Sequence, residues 1–137
     1  MEQPLIYVID DDKANNFLCR IMLKEAEIDN ISSFYGGEAA LDDLRHRVIT
    51  GQELPSVILL DINMPRMDGW EFLNEYRELP EWARAQINVF FITTSDFQTD
   101  LEKAKNYPEV LDFLDKPIPY DVACMLKEKY FRIAIRA

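Results

Sequence analysis

Carboxylates, hydroxyls and one ammonium occur in this chain directly after runs of apolar residues, where they could support a reaction. A carboxylate can act as a nucleophile or bind a cation, and hydroxyl and ammonium groups can stabilise the oxygens of an anionic substrate. If neighbouring strands bring these groups together, they suit phosphoryl transfer to a carboxylate. The groups are Asp10-Asp11-Asp12, Asp61, Thr93-Thr94-Ser95 and Asp115-Lys116.

The acids that follow the first and third apolar runs predict a cation site. Two or three carboxylates within about 4–6 Å of one another repel by several kcal/mol, so they stay ionised only beside a cation. Oxygen ligands with an open coordination sphere suit Mg²⁺, which also accepts phosphate oxygens. Lys116 supplies a second positive charge. A plainer alternative stays open for Asp10-Asp11-Asp12, because a helix N-cap with acids in its first turn also favours such residues.

Short apolar runs alternate with amphipathic stretches along the chain, and this alternation predicts how the polar groups are positioned. Apolar strands separated by amphipathic helices are typical of a parallel sheet covered on both faces. We therefore predict an α/β fold, a doubly wound five-stranded parallel sheet with five helices. Ligands of such folds bind beyond the carboxyl ends of the strands, near the point where strand order reverses. The predicted strands are 5–9, 31–35, 57–60, 89–92 and 110–114.

The apolar positions of the helical stretches predict which helix faces meet the sheet. The polar segment 47–55 is predicted to be a surface loop. The marker residues are Phe17, Leu18, Ile21, Met22 and Ile28 for the first helix, Leu41, Leu44 and Val48 for the second, Phe72, Leu73, Tyr76 and Leu79 for the third, Phe97, Leu101 and Ala104 for the fourth, and Val122, Met125, Leu126, Tyr130 and Ile133 for the last.

The composition fits one compact domain and disfavours several classes of partner. The 137 residues are 48% hydrophobic, enough to fill a core. The formal net charge of −10, without a Lys/Arg cluster, disfavours direct binding to nucleic acid or to a membrane. No apolar run approaches the roughly 20 residues of a membrane span, and no signal peptide is indicated. We therefore expect a soluble, cytoplasmic protein in which Cys19 and Cys124 are reduced.

Taken together, the strand-end sequences resemble the response-regulator receiver domains of two-component signalling, over about residues 5–133. The stretch from Asp61 to Gly69 is highly specific, and all four motifs in order are hard to obtain by chance. The resemblance implies a flavodoxin-like receiver architecture, with residues 1–137 forming a single receiver domain. The matching motifs are Val8-Ile9-Asp10-Asp11-Asp12, Leu59-Leu60-Asp61-Ile62-Asn63-Met64-Pro65-Arg66-Met67-Asp68-Gly69, Phe91-Ile92-Thr93-Thr94-Ser95 and Phe113-Leu114-Asp115-Lys116-Pro117.

The resemblance implies a role for each acid and for one amide residue. Asp61 corresponds to the phosphorylated carboxylate of the family. Asp11 corresponds to a direct Mg²⁺ ligand, Asp10 acts mainly through water, and Asn63 offers its backbone carbonyl. The implied metal site is therefore Asp10, Asp11, Asp61 and Asn63, with Mg²⁺ as the cofactor.

The remaining roles implied by the resemblance concern the phosphoryl group. Thr93 corresponds to the switch hydroxyl, and Lys116 to the ammonium that bonds the phosphoryl oxygens, with a cis bond expected before Pro117. Thr94, the next residue after the switch hydroxyl, is expected to line the path of the water that hydrolyses the acyl phosphate. Phe113 stands at the position of the aromatic switch residue, although a Phe there could also be plain core.

The implied function is that of a phosphoacceptor which switches conformation and has no separate substrate turnover. A sensor histidine kinase or a histidine phosphotransfer protein would donate the phosphoryl group. Only a few residues follow the last predicted helix, so we expect no output domain. The output would then be a protein target on the face of the fourth helix, fifth strand and last helix, or onward relay of phosphate. The chain could also be a fragment of a larger regulator.

Two other classes of function remain open at this point. A Mg²⁺-dependent phosphohydrolase commonly needs an acid two residues after its nucleophile, where this chain has Asn63. A phosphate-independent binding module or a flavodoxin-like cofactor domain is disfavoured by the intact set of acids, Thr93 and Lys116, and by the lack of a loop rich in glycine and hydroxyl residues. His46, the only histidine, is interpreted as a surface residue near a helix end rather than as a phosphocarrier.

Overall fold

The structure is a computed structural model of the chain, and it describes residues 3–94 and 98–131. Strands and helices alternate along these residues, as the sequence predicts. The elements are β1 (Leu5–Ile9), α1 (Lys13–Glu25), β2 (Ile31–Phe34), α2 (Gly37–Thr50), β3 (Pro55–Asp61), α3 (Gly69–Tyr76), α4 (Glu81–Arg84), β4 (Asn88–Thr93), α5 (Gln98–Ala104), β5 (Val110–Asp115) and α6 (Tyr120–Tyr130).

The five strands form one parallel sheet in the order β2-β1-β3-β4-β5. The winding direction reverses between β1 and β3, so a crevice opens beyond the carboxyl ends of these two strands. Ile9 pairs with Leu60 across them. Thr93 pairs with Asp115 across β4 and β5. The predicted doubly wound sheet is confirmed, and its strand-end residues lie at one edge.

Alternate residues of β1 point to opposite faces of the sheet, and each face carries its own core. Leu5, Tyr7 and Ile9 belong to a core that includes α2 and α3. Ile6 and Val8 belong to a core that includes α1 and α6. All five side chains are at most 3% exposed, and burying each one contributes roughly 1.5–3 kcal/mol. The two cores hold the sheet edge, and thus the strand ends, in place.

The prediction of five helices was wrong by one, because residues 3–94 and 98–131 contain six. The additional helix, α4, is a single turn that begins after Pro80. One turn shows no helical period in the sequence, and its Trp82 is 56% exposed. The predicted fourth helix therefore corresponds to α5. The predicted loop 47–55 is also shorter than expected, since α2 continues to Thr50.

The side of α1 that faces the sheet differs from the prediction. Phe17 and Leu18 are 52% and 43% exposed. The buried residues of the helix are Asn16, Cys19 and Leu23. The first residue of this buried helix face is polar. The apolar periodicity of the sequence therefore predicts that the neighbouring face is the buried one. Three residues quoted from the sequence, Ser95, Phe97 and Ile133, lie outside the described residues.

Candidate functional site

Asp61 is the last residue of β3 and is 3% exposed. One carboxylate oxygen each from Asp10, Asp11 and Asp61 lies within 4.8 Å of the others. We call these three residues the acidic cluster. Asp10 follows β1 directly, so the crevice at the reversal of strand order is where the acids meet. The sequence prediction that these carboxylates converge is confirmed.

The turn between β1 and α1 separates the roles of the three consecutive acids. Asp12 is the N-cap of α1, and its side chain accepts hydrogen bonds from the backbone N–H of Ala14 (3.0 Å) and of Asn15 (3.2 Å). The backbone N–H of Asp12 in turn donates to Asp10 Oδ1 at 2.9 Å. The N-cap alternative therefore explains Asp12, and it leaves Asp10 and Asp11 for the acidic cluster.

The sequence analysis did not predict a role for Asn16, whose side chain holds the backbone of Asp10 in place. Asn16 is fully buried, and its Nδ2 donates to the backbone carbonyls of Asp10 at 3.1 Å and of Phe34 at 3.2 Å. These two bonds tie α1 to the ends of β1 and β2. The burial of Asn16 could have been predicted from its spacing, because Asn16, Cys19 and Leu23 lie on one face of the helix.

Lys116 brings the carboxyl end of β5 to the acidic cluster. Its Nζ lies 3.1 Å from Asp61 Oδ2 and 3.3 Å from Asp10 Oδ2, and its side chain is 11% exposed. Its backbone N–H donates to the carbonyl of Thr93 at 3.2 Å, and the bond to Pro117 is cis, as the resemblance implies. Burial disfavours the ammonium, but the charges of Asp61 and Asp10 outweigh burial and raise the pKa of Lys116. Lys116 therefore stays charged.

The charge balance of the cluster is unfavourable to a fully ionised Asp61. Burial raises the pKa of Asp61 to about 7, the neighbouring charge of Asp10 adds to the rise, and Lys116 opposes it. One ammonium is thus too little positive charge for the acids around it. The cluster has the electrostatics expected of a site that takes a further cation.

The oxygens of the cluster fit Mg²⁺. Asp10 Oδ2 and Asp61 Oδ2 are buried, and within residues 3–94 and 98–131 neither accepts a hydrogen bond of good geometry, although Lys116 lies close to both. Buried carboxylate oxygens without donors are costly unless a cation or water completes them. The ligand atoms are all oxygens, which suits Mg²⁺.

The other residues expected at the site lie around the same edge. Thr93 ends β4 and is 4% exposed, while Thr94 follows it and is exposed. Asn63 is exposed in the loop after β3. Phe113 is half-buried on β5, and its ring lies 5.6 Å from that of Phe91.

The loop from Asp61 to α3 explains why Gly69 is needed. A Cβ on Gly69 would lie 2.7 Å from Phe91 Cε1 and 3.0 Å from the carbonyl oxygen of Asp61. The Gly69 N–H donates to the carbonyl of Ile62 at 2.7 Å, and Asp68 forms a capping box at the start of α3. The motif therefore closes a tight loop that presses α3 against the backbone of Asp61.

Comparison with known proteins agrees with this fold. The family model for the response regulator receiver domain matches residues 6–125. The chain therefore belongs to the response regulator receiver domain family of two-component systems. Receiver domains are signalling domains that bind Mg²⁺ at an acidic pocket, and this chain has the acidic cluster of Asp10, Asp11 and Asp61.

Individual relatives give the same result. The chain is 33% identical over 124 residues to the probable methanogenesis regulatory protein FilR2 of Methanothrix harundinacea, covering 88% of this chain and 77% of that protein. It is 33% identical over 99 residues to the response regulator Rcp1 of Synechocystis, covering 71% of this chain and 66% of that protein. The match to the response regulator PleD of Caulobacter vibrioides, 32% identical, covers only 23% of that longer protein.

Solved structures confirm the fold. A two component response regulator from Cytophaga hutchinsonii superposes with a TM-score of 0.84 at 27% identity, covering 95% of this chain and 98% of that one. The Mn²⁺-bound form of Rcp1 superposes with a TM-score of 0.73 at 27% identity, covering 98% and 99% of the two chains.

Three further sequence predictions concern residues away from the cluster. His46 is exposed on α2, as predicted. Cys19 and Cys124 are both free thiols, the first buried and the second half-buried. In the part of the chain that the structure describes, no helix is long and apolar enough to cross a membrane.

Proposed function

We propose that this protein is a phosphoacceptor that takes a phosphoryl group onto Asp61. The observation that carries the proposal is the placement of Asp61: a buried carboxylate at the end of β3, beside Asp10 and 3.1 Å from the ammonium of Lys116. An acyl phosphate at Asp61 carries one more negative charge than the carboxylate, and Lys116 together with a bound cation would neutralise its oxygens.

The proposed reaction transfers one phosphoryl group from a phosphohistidine to Asp61. An oxygen of Asp61 attacks the phosphorus of a phosphohistidine, a P–O bond forms and the P–N bond breaks. The imidazole nitrogen of the donor keeps the electron pair and takes a proton from solvent. Lys116 and the hydroxyl of Thr93 stabilise the oxygens of the transferred group.

Mg²⁺ is part of the proposal, held by Asp10, Asp11, Asp61 and the backbone carbonyl of Asn63. When bound there it would supply the positive charge that the acidic cluster lacks and that the phosphoryl oxygens require. The chain's own contribution is to fix Asp10 through Asn16 and the backbone of Asp12, so that the carboxylates already face the crevice.

The proposed lifetime and output of the signal depend on three further residues. Thr94 shields the acyl phosphate from water, because its branched side chain is stiff at χ1. Thr93 and Phe113 carry the change to the face formed by α5, β5 and α6. Large apolar side chains on these elements are exposed, which supports a protein target there: Leu101, Leu111, Tyr120 and Met125.

The proposal also covers partners, extent and location. A sensor histidine kinase or a histidine phosphotransfer protein donates the phosphoryl group, and the output is a protein contact or onward relay, without nucleic acid, membrane or separate substrate turnover. Residues 1–137 act as a single receiver domain. We place it in the cytoplasm, where ATP charges the histidine donor.

Intact mass after incubation with acetyl phosphate and Mg²⁺ tests this function. We expect the wild-type chain to gain the mass of one phosphoryl group and Asp61→Asn to gain none. Asp12→Asn is the matched control, because Asn retains the N-cap and removes one neighbouring acid. It should be phosphorylated like the wild type. Equal labelling of wild type and Asp61→Asn, or no labelling of either, would refute the proposal.

A further inference from the structure

Trp70 lies directly after Gly69 in α3 and is 6% exposed. Its ring contacts three side chains from other elements. The Phe91 ring meets it edge-on at 4.8 Å, the Tyr107 ring lies at 5.0 Å, and Lys103 Nζ lies 5.0 Å from its ring centroid. We call Trp70, Phe91, Lys103 and Tyr107 the Trp70 cluster. It joins β4, α3 and the C-terminal end of α5.

One side of this cluster reaches the phosphoacceptor. Gly69, the residue before Trp70, leaves no room for a Cβ, which would clash with Phe91 Cε1 at 2.7 Å and lie 3.0 Å from the carbonyl oxygen of Asp61. Phe91 is two residues from Thr93 on β4, and its ring contacts Phe113 on β5. A displacement at the ends of β3 to β5 therefore reaches Trp70 through packed rings and backbone.

The other side of the cluster contacts α5 and residues 105–109, the segment that connects α5 to β5. Tyr107 donates a hydrogen bond from its hydroxyl to Asn74 Oδ1 at 3.0 Å, and the Arg77 guanidinium lies 4.4 Å from the Tyr107 ring. These contacts attach the end of the segment to α3. Within α5 itself Leu101 is 43% exposed and Lys103 lies on Trp70. The contact between Lys103 and Trp70 thus links α5 directly to α3.

We infer that Trp70 is a positioning residue that restrains α5 in the unphosphorylated protein and sets how readily phosphorylation displaces that helix. The inference rests on the proposed function, because it assumes that Asp61 is the acceptor and that α5 belongs to the output face. If phosphorylation displaces α5, it has to break the contact between Lys103 and Trp70, and the energy of that contact then opposes phosphorylation. By linkage, removing the contact strengthens the binding of the phosphoryl group.

Lys103→Met tests the inference with Lys105→Met as its matched control. Both lysines are exposed and both changes remove one positive charge, but Lys105 pairs with Glu102. The probe is beryllofluoride with Mg²⁺, and the titration is followed by tryptophan fluorescence. A Trp82→Phe background leaves Trp70 as the only tryptophan of the chain. We expect Lys103→Met to lower the beryllofluoride concentration at half-saturation about two- to five-fold relative to the control, the size of a partly exposed cation–π contact.

Hydrogen exchange of the unliganded protein supplies the second readout. Amides of residues 100–107 should exchange faster in Lys103→Met than in Lys105→Met. This difference should vanish in a Trp70→Leu background, because Leu has no ring and the two changes then remove one shared contact. Equal half-saturation and equal exchange in the two lysine variants would overturn the inference. Faster exchange with unchanged half-saturation would also overturn it, since the contact would then be structural only.

The two proposals fail in different ways. If the wild type shows no response to beryllofluoride and no mass gain with acetyl phosphate, the proposed function fails and the inference falls with it. If the wild type responds and Lys103→Met matches its control, the proposed function stands and only the role of Trp70 is lost.

Discussion

Replacing Asp61 with Asn is expected to stabilise the Mg²⁺-free protein, and the gain should grow as the pH rises. Asn keeps the shape of the side chain and removes its charge. In the wild type, burial raises the pKa of Asp61 from its ordinary value of 3.8 to about 7, Asp10 adds to the rise and Lys116 opposes it. The folded protein therefore holds the proton of Asp61 more tightly than the unfolded chain does.

The size of the effect follows from that pKa. A tenfold change in a proton equilibrium is worth about 1.4 kcal/mol, so ionising Asp61 costs the folded state at most ~4 kcal/mol. The cost is absent below the unfolded pKa, grows as the pH rises from there, and is complete above the folded pKa of about 7. Water and counterions relax around the ionised group, so we expect Asp61→Asn to gain roughly 2–3 kcal/mol at pH 8 and less at pH 5.

Urea unfolding in buffer with a chelator, at pH 5 and at pH 8, measures this gain. Asp115→Asn is the matched control, because Asp115 ends strand β5 of the same sheet, is exposed, and loses the same charge. The free energy of unfolding of Asp115→Asn should differ little from that of the wild type. The reasoning is refuted if Asp61→Asn is no more stable than the control at pH 8, or if its gain is the same at both pH values.

Four other substitutions have expected outcomes that the same site dictates. Asp11→Ala should abolish phosphorylation and the rise in melting temperature that Mg²⁺ produces, without unfolding the domain, because it removes one ligand. Lys116→Ala should still accept some phosphoryl group but lose most of the amide NMR shifts that beryllofluoride causes along β5, because the ammonium ties β5 to Asp61. Thr94→Ala should speed phosphate release several-fold after the donor is removed, on the order of 1 kcal/mol of barrier. Gly69→Ala should lower the free energy of unfolding by about 1–3 kcal/mol, since its Cβ would overlap Phe91.

Each of these four has an outcome that contradicts it. An unchanged Mg²⁺ response in Asp11→Ala would remove that residue from the metal site. Equal β5 shifts in wild type and Lys116→Ala would break the proposed coupling, and a Thr94→Ala lifetime equal to or longer than wild type would show that Thr94 shields nothing. For Gly69→Ala the control is Gly36→Ala, whose Cβ would meet no atom within 4 Å. Equal losses in the two glycine variants would show that the close approach is unimportant.

The positions of the strands and the reactive residues at their ends could be predicted from the sequence alone. Runs such as Val57-Ile58-Leu59-Leu60 are apolar at every position because both faces of the parallel sheet are covered, so their position could be read without knowing what covers them. An acid after such a run lies at the carboxyl edge of the sheet in any doubly wound fold. For that reason the convergence of Asp10, Asp11, Asp61 and Lys116 could be predicted from the position of each residue after an apolar run and from its residue type.

The face of α1 that packs against the sheet could not be predicted from the sequence. Phe17 and Leu18 look like core residues in the sequence, yet Asn16 is the one buried, because the carbonyls of Asp10 and Phe34 supply acceptors for its amide. A buried polar side chain depends on partners distant in the sequence. Apolar periodicity contains no information about those partners.

The Trp70 cluster and the raised pKa of Asp61 could not be predicted from the sequence either, because both depend on contacts between residues that are distant in the chain. Trp70 and Lys103 are far apart along the chain and meet only because α3 and the end of α5 pack on the same side of the sheet. The pKa of Asp61 depends on its burial and on its distances to Asp10 and Lys116. Residue types decide which charges are present, whereas their energies depend on distances and solvent exposure that exist only in the folded chain.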